Sequence, residues 1–154
     1  MKLYLIQHAK AASKDVDPER SLTDEGRRDI QKIATFIKPL SLRVDYLWHS
    51  GKKRAAQTAE LLSEVVKINK ALTAHAGLAP NDDVTVIKNE IEAAQHNIMI
   101  VGHLPFLDKL ASLLLTGCES AGSVTFKNAG IVCLDCSDEN RWQLDWMVTP
   151  EILF

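Results

Sequence analysis

A continuous apolar run constrains the fold of this chain more than any other feature. Residues 97–103, NIMIVGH, carry no acidic residue, lysine or arginine and place apolar side chains at consecutive positions. Such a run is typical of a strand covered on both faces, as in a parallel sheet flanked by helices. The segment therefore predicts a buried strand within an α/β fold.

Strand-like runs alternate with helical patterns along the rest of the chain. Strands are expected at residues 2–7 and 44–50, and a weaker one at 71–74. Between them, apolar residues recur at intervals of three and four, as in amphipathic helices. The predicted helices run from Thr23 to Pro39, from about Lys53 to Val66, from Asn81 or Asp82 through Ala94, and from about Pro105 to Leu115.

The end of the chain has the pattern of an antiparallel hairpin. Two strand-like segments, 123–136 and 141–148, are joined by the polar turn SDEN. Trp142 and Trp146, four residues apart on the second strand, are expected to share one face. The whole pattern predicts one domain, 1–154, built as a three-layer α/β sandwich with helices on both faces of a mostly parallel sheet.

Composition excludes several classes of function. The net charge is −2, with 18 basic and 20 acidic residues interleaved, so no basic field favours nucleic acid or an anionic membrane. No apolar run reaches the length that crosses a bilayer, and Lys2 opens a strand-like run rather than a signal peptide. We expect a cytoplasmic protein with no membrane or nucleic-acid partner, and a monomer is the favoured state.

The cysteines do not form a disulfide framework. There are three in all, an odd number, and Cys133 and Cys136 have C-x-x-C spacing within a strand-like run. A redox pair would sit at a helix N-terminus, and a zinc site would need two further ligands, which are not evident. Reduced structural thiols are the preferred interpretation, with a redox or metal role as the alternative.

Polar residues stand where three predicted strands end. His8 ends the first strand, Ser50 ends the second with Arg54 following in the next helix, and His103 ends the strand at 97–103. Ligands of open α/β sheets bind outside the carboxyl ends of the strands, beside helix N-termini that favour anions. We therefore expect these four side chains to surround a phosphoryl group.

Three segments that contain these residues resemble the motifs of the histidine phosphatase superfamily, which has the phosphoglycerate mutase-like fold. They are LIQHAKA at residues 5–11, HSGKKRAAQTA at 49–59 and VGHLPFL at 101–107. The stretches RSLTDEGRR and WQLDWMVTP resemble the SixA-type phosphohistidine phosphatase branch. The resemblance covers nearly the whole chain in order and spacing.

This resemblance implies roles for the residues at the matching positions. His8 would be the nucleophile that becomes phosphorylated, Arg54 would bind the phosphoryl group, and His103 would stabilise its oxygens. Gln7 and Ser50 would also contact the phosphate, and Arg20 would line the mouth of the pocket. Catalysis of this kind rests on positioning and electrostatics, and no cofactor or metal is expected.

The general acid of the superfamily is a carboxylate after the third strand. Asp82 and Asp83 occupy the nearest stretch of this chain, and the sequence does not choose between them. Their alternative interpretation is structural, as the N-cap and first-turn acid of the helix that begins there.

The first motif departs from the family pattern. Where the family has Arg-His-Gly, this chain has Gln7-His8-Ala9. A neutral amide replaces a charged, forked donor, a difference of about 1–1.5 kcal/mol or roughly tenfold in rate, so weakened catalysis is expected. Arg20, Lys52 or Lys53 are the candidates to restore positive charge. The methyl group of Ala9 would introduce strain only if the backbone there has positive φ.

Three functions are compatible with these residues. The preferred one is a phosphatase that acts through a phosphohistidine intermediate on protein phosphohistidine. The alternatives are a phospho-ligand or phosphoprotein binder that lost turnover with Gln7, and a hydrolase of small phosphate esters. The chain lacks long insertions that would build a lid, which favours an open pocket and a protein substrate over a mutase, whose phosphoenzyme must be shielded from water.

Overall fold

The apolar run at 97–103 forms a strand, Ile98–Gly102, in which all five residues are buried. The computed structural model describes residues 1–154 as alternating strands and helices followed by a hairpin. The elements are β1 (Lys2–Gln7), α1 (Asp24–Ile37), β2 (Arg43–His49), α2 (Lys53–Ser63), β3 (Lys67–Ala74), α3 (Val84–Ala94), β4 (Ile98–Gly102), α4 (Phe106–Thr116), β5 (Ile131–Cys136) and β6 (Trp142–Val148). Short 3₁₀ helices follow α1 and β6, at Lys38–Leu40 and Pro150–Ile152.

One six-stranded sheet in the order β3-β2-β4-β1-β5-β6 forms the middle layer. The first four strands of this order are parallel, and β5 and β6 are added as an antiparallel hairpin. On one face the core contains apolar residues of α3 and α4, such as Ile87 and Leu107. On the other face it contains those of α1 and α2, such as Ile30 and Ala59. The predicted three-layer α/β sandwich is confirmed. None of its helices combines the length and apolarity that crossing a bilayer requires.

Several boundaries differ from the prediction. The helix expected from Asn81 or Asp82 begins at Val84. The helix predicted to reach Val66 ends at Ser63, and β3 is longer than predicted, because backbone pairing with β2 extends it over Lys67–Ala74. The strand predicted from residue 123 begins only at Ile131. Ala129 adopts a left-handed conformation, with φ of 64°, which interrupts the extended chain before β5.

The two tryptophans of β6 lie on opposite faces, so the prediction of a shared face is wrong. Trp142 belongs to the core beneath α3 and α4, whereas Trp146 packs against the opposite core, with its ring centroid 6.1 Å from that of Tyr4. The register explains the reversal: Trp146 pairs with Cys133, but Leu144 pairs with Leu134, the next residue of β5. Asp145 is the extra residue of a β-bulge, which inverts the alternation of side chains.

A glycine allows α1 to approach the segment that follows β1. Thr23 caps α1 by accepting a hydrogen bond from the Gly26 amide at 2.9 Å. A Cβ atom at Gly26 would lie only 2.1 Å from the carbonyl oxygen of Lys10, so a larger residue requires one of the two segments to move. Because Gly26 has no side chain, the start of α1 can pack closely against Lys10 in the segment that follows β1.

The cysteines are free thiols. Cys133 and Cys136 are buried in β5, and Cys118 is exposed in the loop after α4. Burial raises the pKa of Cys133 to about 12, which makes it a poor nucleophile at neutral pH.

Candidate active site

The ends of three neighbouring strands bring the predicted site residues together. In the sheet, β2, β4 and β1 are adjacent, and His103 follows β4 while His8 follows β1. The ring centroids of His8 and His103 are 5.0 Å apart, and Ser50 at the end of β2 contacts His103 directly. Arg54, in the first turn of α2, is close enough to influence the pKa of both histidines.

A backbone contact fixes the tautomer of His8. The Nδ1 atom lies 2.7 Å from the carbonyl oxygen of Ala9, so it must carry the proton and donate. Burial lowers the pKa of His8, and the positive charges of Arg54 and Arg20 lower it further, against the opposing effect of the bond to Ala9. The ring is therefore neutral at pH 7, and its Nε2 atom presents a free electron pair.

His103 is almost fully buried, at 2% exposure, and is also neutral. Burial lowers its pKa to about 3, with smaller contributions in the same direction from His8, Arg54, Lys52 and Arg20. Its Nε2 atom lies 2.6 Å from the Ser50 hydroxyl, and its Nδ1 atom is buried without a hydrogen-bond partner. A second neutral imidazole thus faces the first.

The burial of His103 predicts a pH-dependent stability. The unfolded chain binds a proton on this residue below its ordinary pKa of 6.5, whereas the folded chain binds one only near 3, so acid favours unfolding. We expect the free energy of unfolding to fall between pH 6.5 and about 4.5, with His103 contributing about 2 kcal/mol of the loss. Urea denaturation of wild type and His103→Gln at both pH values checks this. An equal loss in the variant would show that other groups cause it.

Unpaired buried polar atoms are concentrated at this site. The side chains hold four such atoms in all: Oε1 of Gln7, Nε of Arg54, Nδ1 of His103 and Oδ1 of Asp108. The first three belong to the predicted site. Since buried polar groups are nearly always paired in folded proteins, this concentration indicates a site built for an external polar group.

Arg20 reaches the site from the loop between β1 and α1. Its Nε atom donates to the carbonyl oxygen of Ala12 at 3.1 Å, and its charge lowers the pKa of both site histidines. Lys53, by contrast, is occupied by Glu19 at 2.5 Å. Ala9 is fully buried and is not among the residues with positive φ, so its methyl group causes no backbone strain of that kind.

Two residues that the sequence interpretation missed hold the backbone around His8. The hydroxyl of Thr58, which is fully buried, accepts from the amide of Ala9 at 3.0 Å and donates to the carbonyl of Arg54 at 2.8 Å. The Asn128 amide donates to the carbonyl of His8 at 2.9 Å. Thr58 was detectable, because it lies one helical turn after Arg54. Asn128 was not, since it is 120 residues away from His8 in sequence.

The structure does not join Asp82 or Asp83 to the histidines. The Asp83 carboxylate caps α3 by accepting from the Thr85 amide at 2.9 Å. That of Asp82 accepts from the Ala79 amide at 2.8 Å. Neither makes a hydrogen bond to a site residue. Asp83 is the N-cap of the alternative interpretation, whereas Asp82 precedes the helix and is not the first-turn acid that this interpretation also included.

The site lies outside the four concave cavities of the surface, none of which is lined by His8, Arg54 or His103. One of them, of about 410 Å³, includes Lys10 and Asn128 and is otherwise formed mainly by charged residues of α1 and the chain end. His8, Ser50 and Arg54 are partly exposed, whereas His103 is buried.

Known proteins share both the sequence motifs and the fold. The sequence model of the histidine phosphatase superfamily (branch 1) matches residues 3–79, half of the chain. An uncharacterized protein of Picosynechococcus sp. (strain ATCC 27264 / PCC 7002 / PR-6) is 28% identical, over 87% of this chain and 84% of its own. The structure of the protein histidine phosphatase SixA in complex with tungstate superposes with a TM-score of 0.85 at 20% identity, covering 97% of each chain. A protein assigned as the phosphohistidine phosphatase SixA of Agrobacterium tumefaciens gives a TM-score of 0.76 at 25% identity, again over 97% of each.

The chain belongs to the histidine phosphatase superfamily. It is accordingly a phosphatase, a hydrolase of phosphoric monoesters, with the fold of the SixA proteins.

Proposed function

We propose that this phosphatase hydrolyses phosphohistidine on proteins through a phosphorylated His8. The observation that carries the proposal is the Nδ1 contact of His8 with Ala9, at 2.7 Å, which leaves Nε2 unprotonated at the carboxyl edge of the sheet. His103 also supports the proposal, because its ring centroid lies 5.0 Å from that of His8.

The proposed reaction has two displacements at phosphorus. The Nε2 electron pair of His8 attacks the phosphoryl group, the phosphorus–nitrogen bond of the substrate breaks, and the departing imidazole takes a proton from solvent. Water then attacks the phosphorus of phosphorylated His8 and releases phosphate and neutral imidazole. Arg54, Arg20, Ser50, the Gln7 amide and neutral His103 would stabilise the phosphoryl oxygens by charge and hydrogen bonds.

No acidic side chain shifts the pKa of His8 or is hydrogen-bonded to either site histidine, which favours a nitrogen leaving group. The charged groups that shift the pKa of His8 are Arg54 and Arg20, both positive, and Asp82 and Asp83 bind backbone amides instead. A phosphate ester of an alcohol leaves as an alkoxide and needs a positioned acid, whereas an imidazole accepts a proton readily from solvent near neutral pH. His8, Ser50 and Arg54 are partly exposed, so a residue on a protein surface can approach them.

The test compares three donors with wild-type protein: a phosphohistidine protein, free phosphohistidine and phosphoserine. We expect release of phosphate from the two phosphohistidine donors in preference to phosphoserine. A preference for the ester would favour a small-ester phosphatase. Tungstate binding in a calorimeter without hydrolysis of any donor would favour the binding protein that Gln7 suggests.

Restoring arginine at position 7 should raise activity. Gln7 ends β1 directly before His8, and its buried Oε1 atom has no hydrogen-bond partner. A guanidinium in its place would add a positive charge and a forked set of donors. We expect Gln7→Arg to increase kcat/KM toward phosphohistidine about tenfold. Gln7→Met, which removes the polar group at similar size, is the matched control and should lower it. Unchanged activity in both variants would exclude position 7 from phosphate binding.

A further inference from the structure

Two exposed apolar residues directly follow the buried histidine of the site. His103 is 2% exposed, but the next residue, Leu104, is 40% exposed, and Pro105 beside it is exposed as well. Both residues lie in the turn between β4 and α4, at the edge of the sheet that carries the site. A leucine in this place is available to any molecule that brings a phosphoryl group to His8.

An unpaired cation lies near the same histidine. Lys52 follows Ser50 by two residues, and the Ser50 hydroxyl lies 2.6 Å from Nε2 of His103 and 3.4 Å from the backbone nitrogen of Lys52. The charge of Lys52 also lowers the pKa of His103, and its ammonium group makes no salt bridge within the chain. Its neighbour Lys53 is bound to Glu19. Lys52 is exposed and remains free to pair with a carboxylate from outside.

An apolar contact bordered by a free charge is the usual composition of a protein-binding surface. Interface energy is concentrated in a few central side chains, while charges at the rim steer association and set specificity. A single exposed leucine has no such meaning alone. Here it directly follows His103, which contacts the partly exposed Ser50 and lies beside the partly exposed His8, so a protein that brings its phosphohistidine to His8 also meets Leu104.

We propose that Lys52, Leu104 and Pro105 form a docking surface for the phosphohistidine-bearing protein, which contributes an apolar residue and a carboxylate beside the phosphohistidine. This inference rests on the proposed function and adds the means by which a protein is preferred to a free phosphoamino acid. Leu104 and Pro105 have no polar side-chain group for the phosphoryl oxygens, so their effect is confined to protein substrates, whereas Lys52 also adds its charge to the site.

The test uses Leu104→Asp and Lys52→Glu in the full chain. Activity is measured on a histidine phosphocarrier protein phosphorylated with phosphoramidate and, in parallel, on free phosphohistidine. We expect each variant to raise KM for the phosphoprotein about tenfold, and Leu104→Asp to change kcat/KM for free phosphohistidine less than about twofold. Matched controls are Leu144→Asp on β6 and Lys67→Glu at the amino end of β3, both exposed and on the two opposite edge strands of the sheet.

The outcomes separate the docking surface from the chemistry. Equal loss on both donors in Leu104→Asp, or an unchanged KM for the phosphoprotein in either variant, would overturn the docking surface. So would a wild type that uses the phosphoprotein no better than free phosphohistidine. A wild type inactive on both donors would remove the proposed function, and the docking surface with it.

Discussion

We expect His8→Ala to lower kcat/KM toward phosphohistidine by at least about 10⁴-fold, because it removes the proposed nucleophile. Wild-type protein quenched during turnover of a ³²P-labelled donor should carry acid-labile phosphate, and the variant should carry none. Tungstate binding should persist in the variant, since Arg54 and His103 remain.

His49 provides the matched control for this loss. It ends β2 at the same edge of the sheet, and its Nδ1 accepts from the Gly51 amide at 3.1 Å rather than facing His8. We expect His49→Ala to change activity less than about threefold, because it makes no contact with the reacting groups. Acid-labile phosphate on the His8→Ala protein would place the nucleophile elsewhere.

We expect Thr58→Val, which keeps the shape of the side chain, to lower kcat by about 10²-fold. Thr58 acts on His8 through Ala9: its hydroxyl holds the Ala9 amide at 3.0 Å, and the Ala9 carbonyl holds Nδ1 of His8 at 2.7 Å. Valine leaves the buried amide of Ala9 and the carbonyl of Arg54 without this partner. The nucleophile is then no longer fixed in its tautomer and position.

A pH profile separates this positioning role from a loss of stability. The bond to Ala9 raises the pKa of His8, so weakening it should lower that pKa and shift the acid limb of kcat/KM to lower pH. Thr58→Ser retains the hydroxyl and should restore both rate and profile. If valine and serine behave alike, or the acid limb stays in place, Thr58 serves the fold alone.

The sequence was sufficient to predict the layers of the fold because they depend on local periodicity. The apolar run of β4, the cap at Thr23 and the stop at Pro39 are all signals within a few residues. The face of β6 on which Trp146 lies could not be predicted from such local signals. The bulge at Asp145 is defined by the register against β5, and one inserted residue reverses a face assigned by counting in twos.

The same distinction between local and distant determinants applies to the residues of the site. His8, Ser50 and His103 were predictable as neighbours because ligand sites of such sheets lie where strands end. The orientation of the His8 ring was not predictable, as it depends on hydrogen bonds that start from Thr58 and Asn128. Asp82 and Asp83 were ambiguous because a helix start and an acid catalyst both require a carboxylate, and only the coordinates distinguish which amides they bind.

Both edge strands of the sheet, β3 and β6, are irregular. β6 carries the extra residue Asp145, held by Lys2 at 2.6 Å, and β3 has its own register shift against β2, with Lys67 and Lys70 along it. Bulges and charged side chains on an edge strand hinder a strand of another molecule from pairing with it through backbone hydrogen bonds. Concentrated solutions of this protein should accordingly resist strand-templated fibril growth.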